Sequence, residues 1–157
     1  MWCTIEAIQQ FELTKNRTQW VDGIRGSKIL NDAYNASPIA MKSVIQSFTS
    51  VATNGRKIVV LGDIRELGEQ SKALHASISE VMFPEKIQEV YLYGEEMSAL
   101  YEALKSRFEA SHLHYVESDK AALIQLLKDD LKQNDQVLVK SSNGTGLLAV
   151  VEALKEA

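Results

Sequence analysis

Two stretches of this chain, Ile58-Val59-Val60-Leu61 and Val137-Leu138-Val139, are apolar at every position rather than at every second one. A strand with one wet face alternates, whereas a strand that is apolar throughout must be covered on both faces. Few architectures meet that demand. Short β-rich runs at Lys28–Asp32, Lys57–Gly62, Glu89–Tyr93, His112–Val116 and Gln136–Lys140 alternate with amphipathic helical runs. Strand–helix alternation with short loops predicts a three-layer α/β domain, a mainly parallel sheet with helices on both faces. The stretch Arg17-Thr18-Gln19-Trp20-Val21 is a candidate extra edge strand, pairing antiparallel with Lys28–Asp32 through the Asp22-Gly23 turn region.

The helical runs each show an apolar stripe at i, i+3, i+4 and i+7, the spacing that faces a sheet. Met41, Val44, Ile45 and Phe48 form the first, and Leu74, Ile78, Val81 and Met82 the second. Met97, Leu100, Tyr101, Leu104 and Phe108 form the third, Leu123, Leu126, Leu127 and Leu131 the fourth, and Leu147, Val150, Val151 and Leu154 the last. Ser37 before Pro38 is an N-cap followed by proline at the first helical position, and Ser118-Asp119 caps the fourth helix.

Composition narrows the function classes. The 157 residues make one domain, and 17 basic against 21 acidic residues leave a charge of −4, which argues against a large nucleic-acid footprint. No apolar run reaches membrane length, and the first residues lack the basic and apolar regions of a signal peptide. One cysteine, Cys3, excludes a disulfide scaffold and a Cys-only metal site within the chain, and fits a reducing cytoplasmic setting.

In open α/β sheets ligands bind outside the carboxyl ends of the strands. There the chain carries Asn31 to Pro38, Gly62 to Glu69, Gly94-Glu95 and Lys140 to Gly146, so the polar and glycine-rich residues gather at one edge. No G-x-x-x-x-G-K-[ST] is present, and the first strand–helix turn has no glycine, so neither a P-loop nor a dinucleotide fingerprint is present. His75, His112 and His114 have no metal-ligand spacing on one helix, and His112 and His114 read as surface residues of a strand. Asp32 and Asp63 each read either as turn residues or as site residues. Lys140, following three apolar residues, either points its ammonium into the crevice toward an anion or ends in solvent.

Several segments taken together carry a family resemblance. Asp32-Ala33-Tyr34-Asn35-Ala36-Ser37-Pro38 resembles the D-x-Y-N-A-N-P segment of the Mur ligases, in the branch that adds D-alanyl-D-alanine. Gly55-Arg56-Lys57-Ile58-Val59-Val60-Leu61-Gly62-Asp63-Ile64-Arg65-Glu66-Leu67-Gly68 resembles that branch's G-R-K-x-x-V-L-G-D-M-x-E-L-G, with Ser71 and His75 where a serine and a histidine usually stand. Asn16-Arg17-Thr18 resembles an arginine segment before the domain's first strand, and Lys140-Ser141-Ser142 resembles its K-G-S. Ser37 stands where the family more often has Asn, and Ser141 where it more often has Gly. The likeness runs from about Phe11 to the end, so residues 1–10 are read as a linker remnant or short helix and 11–157 as the family's Rossmann-like C-terminal domain.

The resemblance implies one domain of a three-domain, ATP-dependent ligase of peptidoglycan precursor synthesis in the cytoplasm. That enzyme joins D-alanyl-D-alanine to UDP-N-acetylmuramoyl-tripeptide through an acyl phosphate. The P-loop, the Mg2+ ligands and the UDP site would lie on the central and N-terminal domains. This domain would act as a lid, with no catalytic residue or metal ligand of its own. By residue, the resemblance implies that Arg17 contacts ATP phosphates, Asp32 the ribose hydroxyls, and Tyr34 and Asn35 the adenine or ribose. Asp63, Lys140, Ser141 and Ser142 would line the dipeptide pocket. Two rival readings remain open: a receiver-like phospho-acceptor domain built on Asp32, Asp63 and Lys140, and a non-catalytic nucleotide-binding module.

Overall fold

The computed structural model describes residues 19–32, 37–50, 55–64, 67–140 and 147–155. Among them six strands form one sheet: β1 (Gln19–Asp22), β2 (Lys28–Asp32), β3 (Lys57–Gly62), β4 (Glu89–Tyr93), β5 (Leu113–Val116) and β6 (Gln136–Lys140). Their order is β1-β2-β6-β3-β4-β5. All neighbours run parallel except β1, which pairs antiparallel with β2. The five parallel strands fall on the predicted runs, and β5 starts one residue late because His112 closes a 3-10 turn, Ala110–His112. The expected edge strand is present as β1, while its first expected residues, Arg17 and Thr18, lie outside the described residues.

Strand order removes the receiver reading. A doubly wound receiver has the order 2-1-3-4-5. Here the last strand, β6, is inserted between β2 and β3, so the strand ends of Asp32 and Asp63 are not neighbours in that arrangement.

Five α-helices among the described residues cover the sheet: α1 (Pro38–Ser50), α2 (Ser71–Ser77), α3 (Ser98–Leu104), α4 (Lys120–Asp130) and α5 (Leu148–Leu154). Because successive strand residues point to opposite faces, β3 divides itself between two cores. Val59 and Leu61 pack with Met41, Ile45, Phe48, Ile78, Leu100 and Leu104. Ile58 and Val60 pack with Leu123, Leu127, Val150, Val151 and Leu154. Every residue of β3 is buried, as a two-sided cover requires.

Both predicted caps form. Ser37 Oγ accepts the Ala40 N–H at 3.1 Å, and Asp119 Oδ1 accepts the Ala122 N–H at 3.0 Å. Two helical expectations need correction. Leu126 is exposed, because Ile124 rather than Leu126 lies on the Leu123–Leu127–Leu131 side of α4. The second helix is α-helical only to Ser77 and tightens into a 3-10 turn over Ile78–Val81, and its buried face includes His75 as well as Ile78 and Met82.

The amino ends of the strands are closed by ion pairs. Arg56, just before β3, forks onto the buried Asp135 through Nη2 at 2.7 Å and Nε at 3.2 Å, and reaches Asp130 Oδ1 at 3.2 Å. These carboxylates hold its guanidinium firmly charged, its pKa raised first by the Asp135 bond. Tyr91 donates to Asp130 Oδ2 at 2.8 Å, and Lys57 Nζ donates to the Phe48 carbonyl and Gln136 Oε1, both at 2.8 Å. Glu89, at the start of β4, accepts from His112 Nδ1, in the turn before β5, at 2.6 Å and from His114 Nε2, on β5, at 2.9 Å. His112 is exposed as expected, but His114 is half-buried, stacked on Tyr91 with ring centroids 4.3 Å apart.

Two predictions follow from this end of the sheet. Arg56→Met strands the buried Asp135 carboxylate without its cation, and is expected to lower the unfolding free energy by about 3 kcal/mol in urea titration. The hydrogen bond His112 donates to Glu89, and then the charge of Glu89, raise the pKa of His112 above the ordinary 6.5. That contribution is complete below pH 6.5 and is lost as pH rises through the raised folded value. The urea midpoint of His112→Gln should therefore fall further below that of the parent chain at pH 6 than at pH 8.5.

Candidate functional site

The carboxyl ends of β2, β6 and β3 lie side by side, with Asp32 in register with Lys140 and Lys140 in register with Leu61. Asp63 follows β3 directly, and Gly94 to Glu96 follow the next strand, β4. The fold thus brings Asp32, Lys140 and Asp63 to one edge, as the sequence suggests.

Lys140 is only 3% exposed, which excludes the solvated strand end. It closes a strand whose preceding residues, Val137, Leu138 and Val139, are fully buried. An ammonium held in such a low-dielectric setting attracts an anion more strongly than one in water.

Asp63 takes part in the turn after β4. Its Oδ1 accepts the Met97 N–H at 2.9 Å and its Oδ2 the Glu96 N–H at 3.2 Å, the two amides ahead of α3. Burial pushes its carboxyl above the ordinary aspartate range, and these two donors oppose that shift. The fit depends on Gly94, whose φ of +117° suits glycine alone and whose missing side chain makes room for the acid. A Cβ there would lie 2.3 Å from Asp63 Oδ1. Tyr115 donates its hydroxyl to the Gly94 carbonyl at 2.9 Å and steadies the same turn from β5.

Beside this turn lies a cleft of about 300 Å³ lined by Asp63, Ile64, Leu67, Ser71, Glu95 and Glu96. Three carboxylates on one cleft suit a cation such as an ammonium group. Ser71 Oγ donates to Glu96 Oε1 at 2.6 Å, and His75, fully buried, accepts the Ile64 N–H at 3.0 Å. Among the described residues no group of three His, Cys, Asp or Glu could hold a metal ion, so the described part of this edge does not fit a metal centre.

Of the residues singled out in the sequence, Asp63 and Lys140 are described with their side chains, and Asp32 by its backbone. Arg17, Tyr34, Asn35, Ser141 and Ser142 lie outside the described residues. Sequence reasoning assigned no role to Ser71, His75 or Glu96. The signal for His75 was its position: it shares the buried helix face with Ile78, three residues on, and a polar ring in such a stripe needs a partner for each nitrogen. Among the described residues no helix is long and apolar enough to cross a membrane.

Gly94→Ala should cost about 2 kcal/mol in backbone strain alone. Because the new methyl also displaces the Asp63 carboxylate, the amides of Glu96 and Met97 should lose hydrogen-exchange protection.

The family model for "Mur ligase, glutamate ligase domain" matches residues 16–143. A Bacillus subtilis UDP-N-acetylmuramoyl-tripeptide–D-alanyl-D-alanine ligase is 35% identical over 96% of this chain and 33% of its own length. The Escherichia coli enzyme of the same name is 31% identical over 82% of this chain and 27% of its own length. The chain therefore spans about a third of the length of these relatives. Among solved structures, MurF from Acinetobacter baumannii superposes with a TM-score of 0.71 at 23% identity, over 88% of this chain and 30% of that one. MurF from Thermotoga maritima, solved with ADP, gives 0.71 at 24% identity, over 96% and 35%. Both confirm the three-layer, Rossmann-like fold.

Proposed function

We infer the function from one premise: the chain belongs to the Mur ligase family, of which it carries the glutamate ligase domain. It serves an ATP-dependent ligase of peptidoglycan precursor synthesis in the cytoplasm, joining D-alanyl-D-alanine to UDP-N-acetylmuramoyl-tripeptide. The names of its relatives support that choice of amine substrate.

The observation that carries the reading is the separation of charge along one sheet edge. The buried cation Lys140 ends β6, and the carboxylate-lined cleft headed by Asp63 follows the adjacent strand β3. A free dipeptide is a zwitterion, and these are the two groups it needs. Lys140, with Ser141 and Ser142, holds the dipeptide carboxylate through charge-assisted hydrogen bonds. The Asp63 cleft receives the ammonium and aims the amine at the acyl centre.

Nucleotide contacts fall to the other residues the family resemblance singles out. Arg17 pairs with phosphate oxygens, Asp32 accepts from the ribose hydroxyls, and Tyr34 and Asn35 border the adenine or ribose. The triphosphate cradle and Mg2+ belong to the enzyme's central domain, and the UDP end of the substrate to the N-terminal one. In the reaction the tripeptide carboxylate attacks the γ-phosphorus, ADP leaves, and an acyl phosphate forms. The dipeptide amine then attacks the acyl carbon, expels phosphate and loses a proton to give the amide. The domain acts as a lid that keeps water from the acyl phosphate while it delivers the amine.

The test uses the full-length protein carrying this domain. Lys140→Ala is expected to raise KM for D-alanyl-D-alanine by about 10- to 100-fold, the loss of a charge-assisted bond, with KM for ATP unchanged. Asp32→Ala is expected to do the reverse, raising KM for ATP by about tenfold. The isolated chain should not turn over ATP. Enzyme-like turnover by the isolated chain overturns the reading, and a change in ATP affinity alone for Lys140→Ala overturns the assignment of Lys140.

A further inference from the structure

His75 is fully buried on α2, in a face otherwise built of apolar side chains. A buried imidazole is tolerated when both nitrogens are bonded, and here each nitrogen meets a backbone group, with the Ser71 hydroxyl also 3.3 Å from Nδ1. Nε2 lies 3.0 Å from the Ile64 nitrogen. A backbone N–H only donates, so Nε2 is the acceptor and bears no proton. The ring hydrogen is then on Nδ1, which donates to the Ser71 carbonyl at 2.7 Å.

What this ring holds matters more than how it is held. Ile64 is the residue after Asp63, so His75 pins to α2 the peptide unit that leads out of the acid. Asp63 in turn bonds the Glu96 and Met97 amides. Ser71, whose carbonyl takes the His75 proton, donates its hydroxyl to Glu96 Oε1 at 2.6 Å. One ring on one helix thereby sets the loop after β3, and through Ser71 and Asp63 the turn after β4. Those are the two segments that face the acidic cleft.

We propose that His75 is a positioning residue for the amine substrate: through the Ile64 amide it fixes Asp63 where a primary ammonium is received. The inference rests on the reading of this edge as the dipeptide pocket. His75 touches no substrate; it acts through the Ile64 amide, while its bond to Ser71 anchors the ring. Misplacing a binding carboxylate by a fraction of an ångström weakens the aim of the amine without touching the nucleotide side.

Two substitutions of similar size divide its bonds. The longer side chain of His75→Gln carries a carbonyl oxygen to the Nε2 position, keeping an acceptor for the Ile64 N–H and giving up the bond to Ser71. The shorter His75→Asn places its amide near Nδ1, keeping the donor to Ser71 and losing Ile64. Each removes one buried hydrogen bond, so a merely structural histidine predicts equal effects. A positioning role predicts that, in the full-length protein, His75→Asn raises KM for D-alanyl-D-alanine by about tenfold while KM for ATP stays within about twofold. His75→Gln should stay within about threefold of the parent on both. Equal effects of the two, an unchanged dipeptide KM in His75→Asn, or an ATP KM that moves with it each overturn the proposal alone. A parent enzyme that ligates no D-alanyl-D-alanine overturns the functional reading and this proposal with it. Should both variants fail to fold, the parent protein still decides: saturating dipeptide should shift the Ile64 backbone amide resonance, and an unmoved resonance overturns the proposal.

Discussion

The burial of β3 on both faces is the constraint from which the rest of the structure follows. Its residues Ile58, Val59, Val60 and Leu61 are all fully buried, and β6 beside it repeats the condition with Val137, Leu138 and Val139. A sheet so covered has no wet face on which to place polar groups, so these collect at the two ends of the strands. The ends are used differently. At the amino end Arg56, Asp135, Asp130, Glu89, His112 and His114 are matched to one another. At the carboxyl end a buried lysine closes β6 and three carboxylates line the cleft after β3 and β4. The first arrangement closes the sheet; the second is where the proposed ligand contacts fall.

Asp63 shows how one side chain serves both structure and site. Its two oxygens cap the turn ahead of α3, which is the ordinary duty of an acid near unsatisfied helix N–H groups. The same carboxylate lines the cleft. Since each oxygen has more than one lone pair, capping does not exhaust its capacity to accept. The cap also explains the backbone: only a residue without a side chain can occupy position 94 while the acid lies over it. Removal of Asp63 would therefore disturb the turn as well as the pocket, which makes the more distant His75 the cleaner probe of geometry.

How much of this was legible in the sequence depends on whether the cause was local. The strand runs, to within one residue at the start of β5, the Ser37 and Asp119 caps and the two-sided cover of β3 and β6 follow from periodicity and capping chemistry. Leu126 was misjudged because a leucine at stripe spacing says nothing about which side of the stripe the sheet lies on, and Ile124 decided that. The two readings of Lys140 could be separated only by burial, which depends on strands distant in sequence. Arg56 and Asp135, 79 residues apart, meet only because β6 is inserted beside β3. His75 lay in plain view within an apolar stripe, yet its partner, the Ile64 amide, belongs to a loop whose path no local rule gives. Motif resemblance located the edge, and tertiary contacts set the roles within it.

The proposed division of labour has a physical advantage that follows from the open edge. A domain that holds an amine at one wall, with the triphosphate held on another domain, binds neither substrate tightly by itself. Closure gains contacts to both at once, so the closed state is populated chiefly when nucleotide and dipeptide are present together. An acyl phosphate made before the amine arrives would be open to water, and coupling closure to both substrates guards against that loss. Such coupling requires the amine-binding wall to be rigid before closure, because ordering it at that moment would subtract from the gain. In the proposed reading, the doubly bonded His75 and the Asp63 cap supply that rigidity from within this domain.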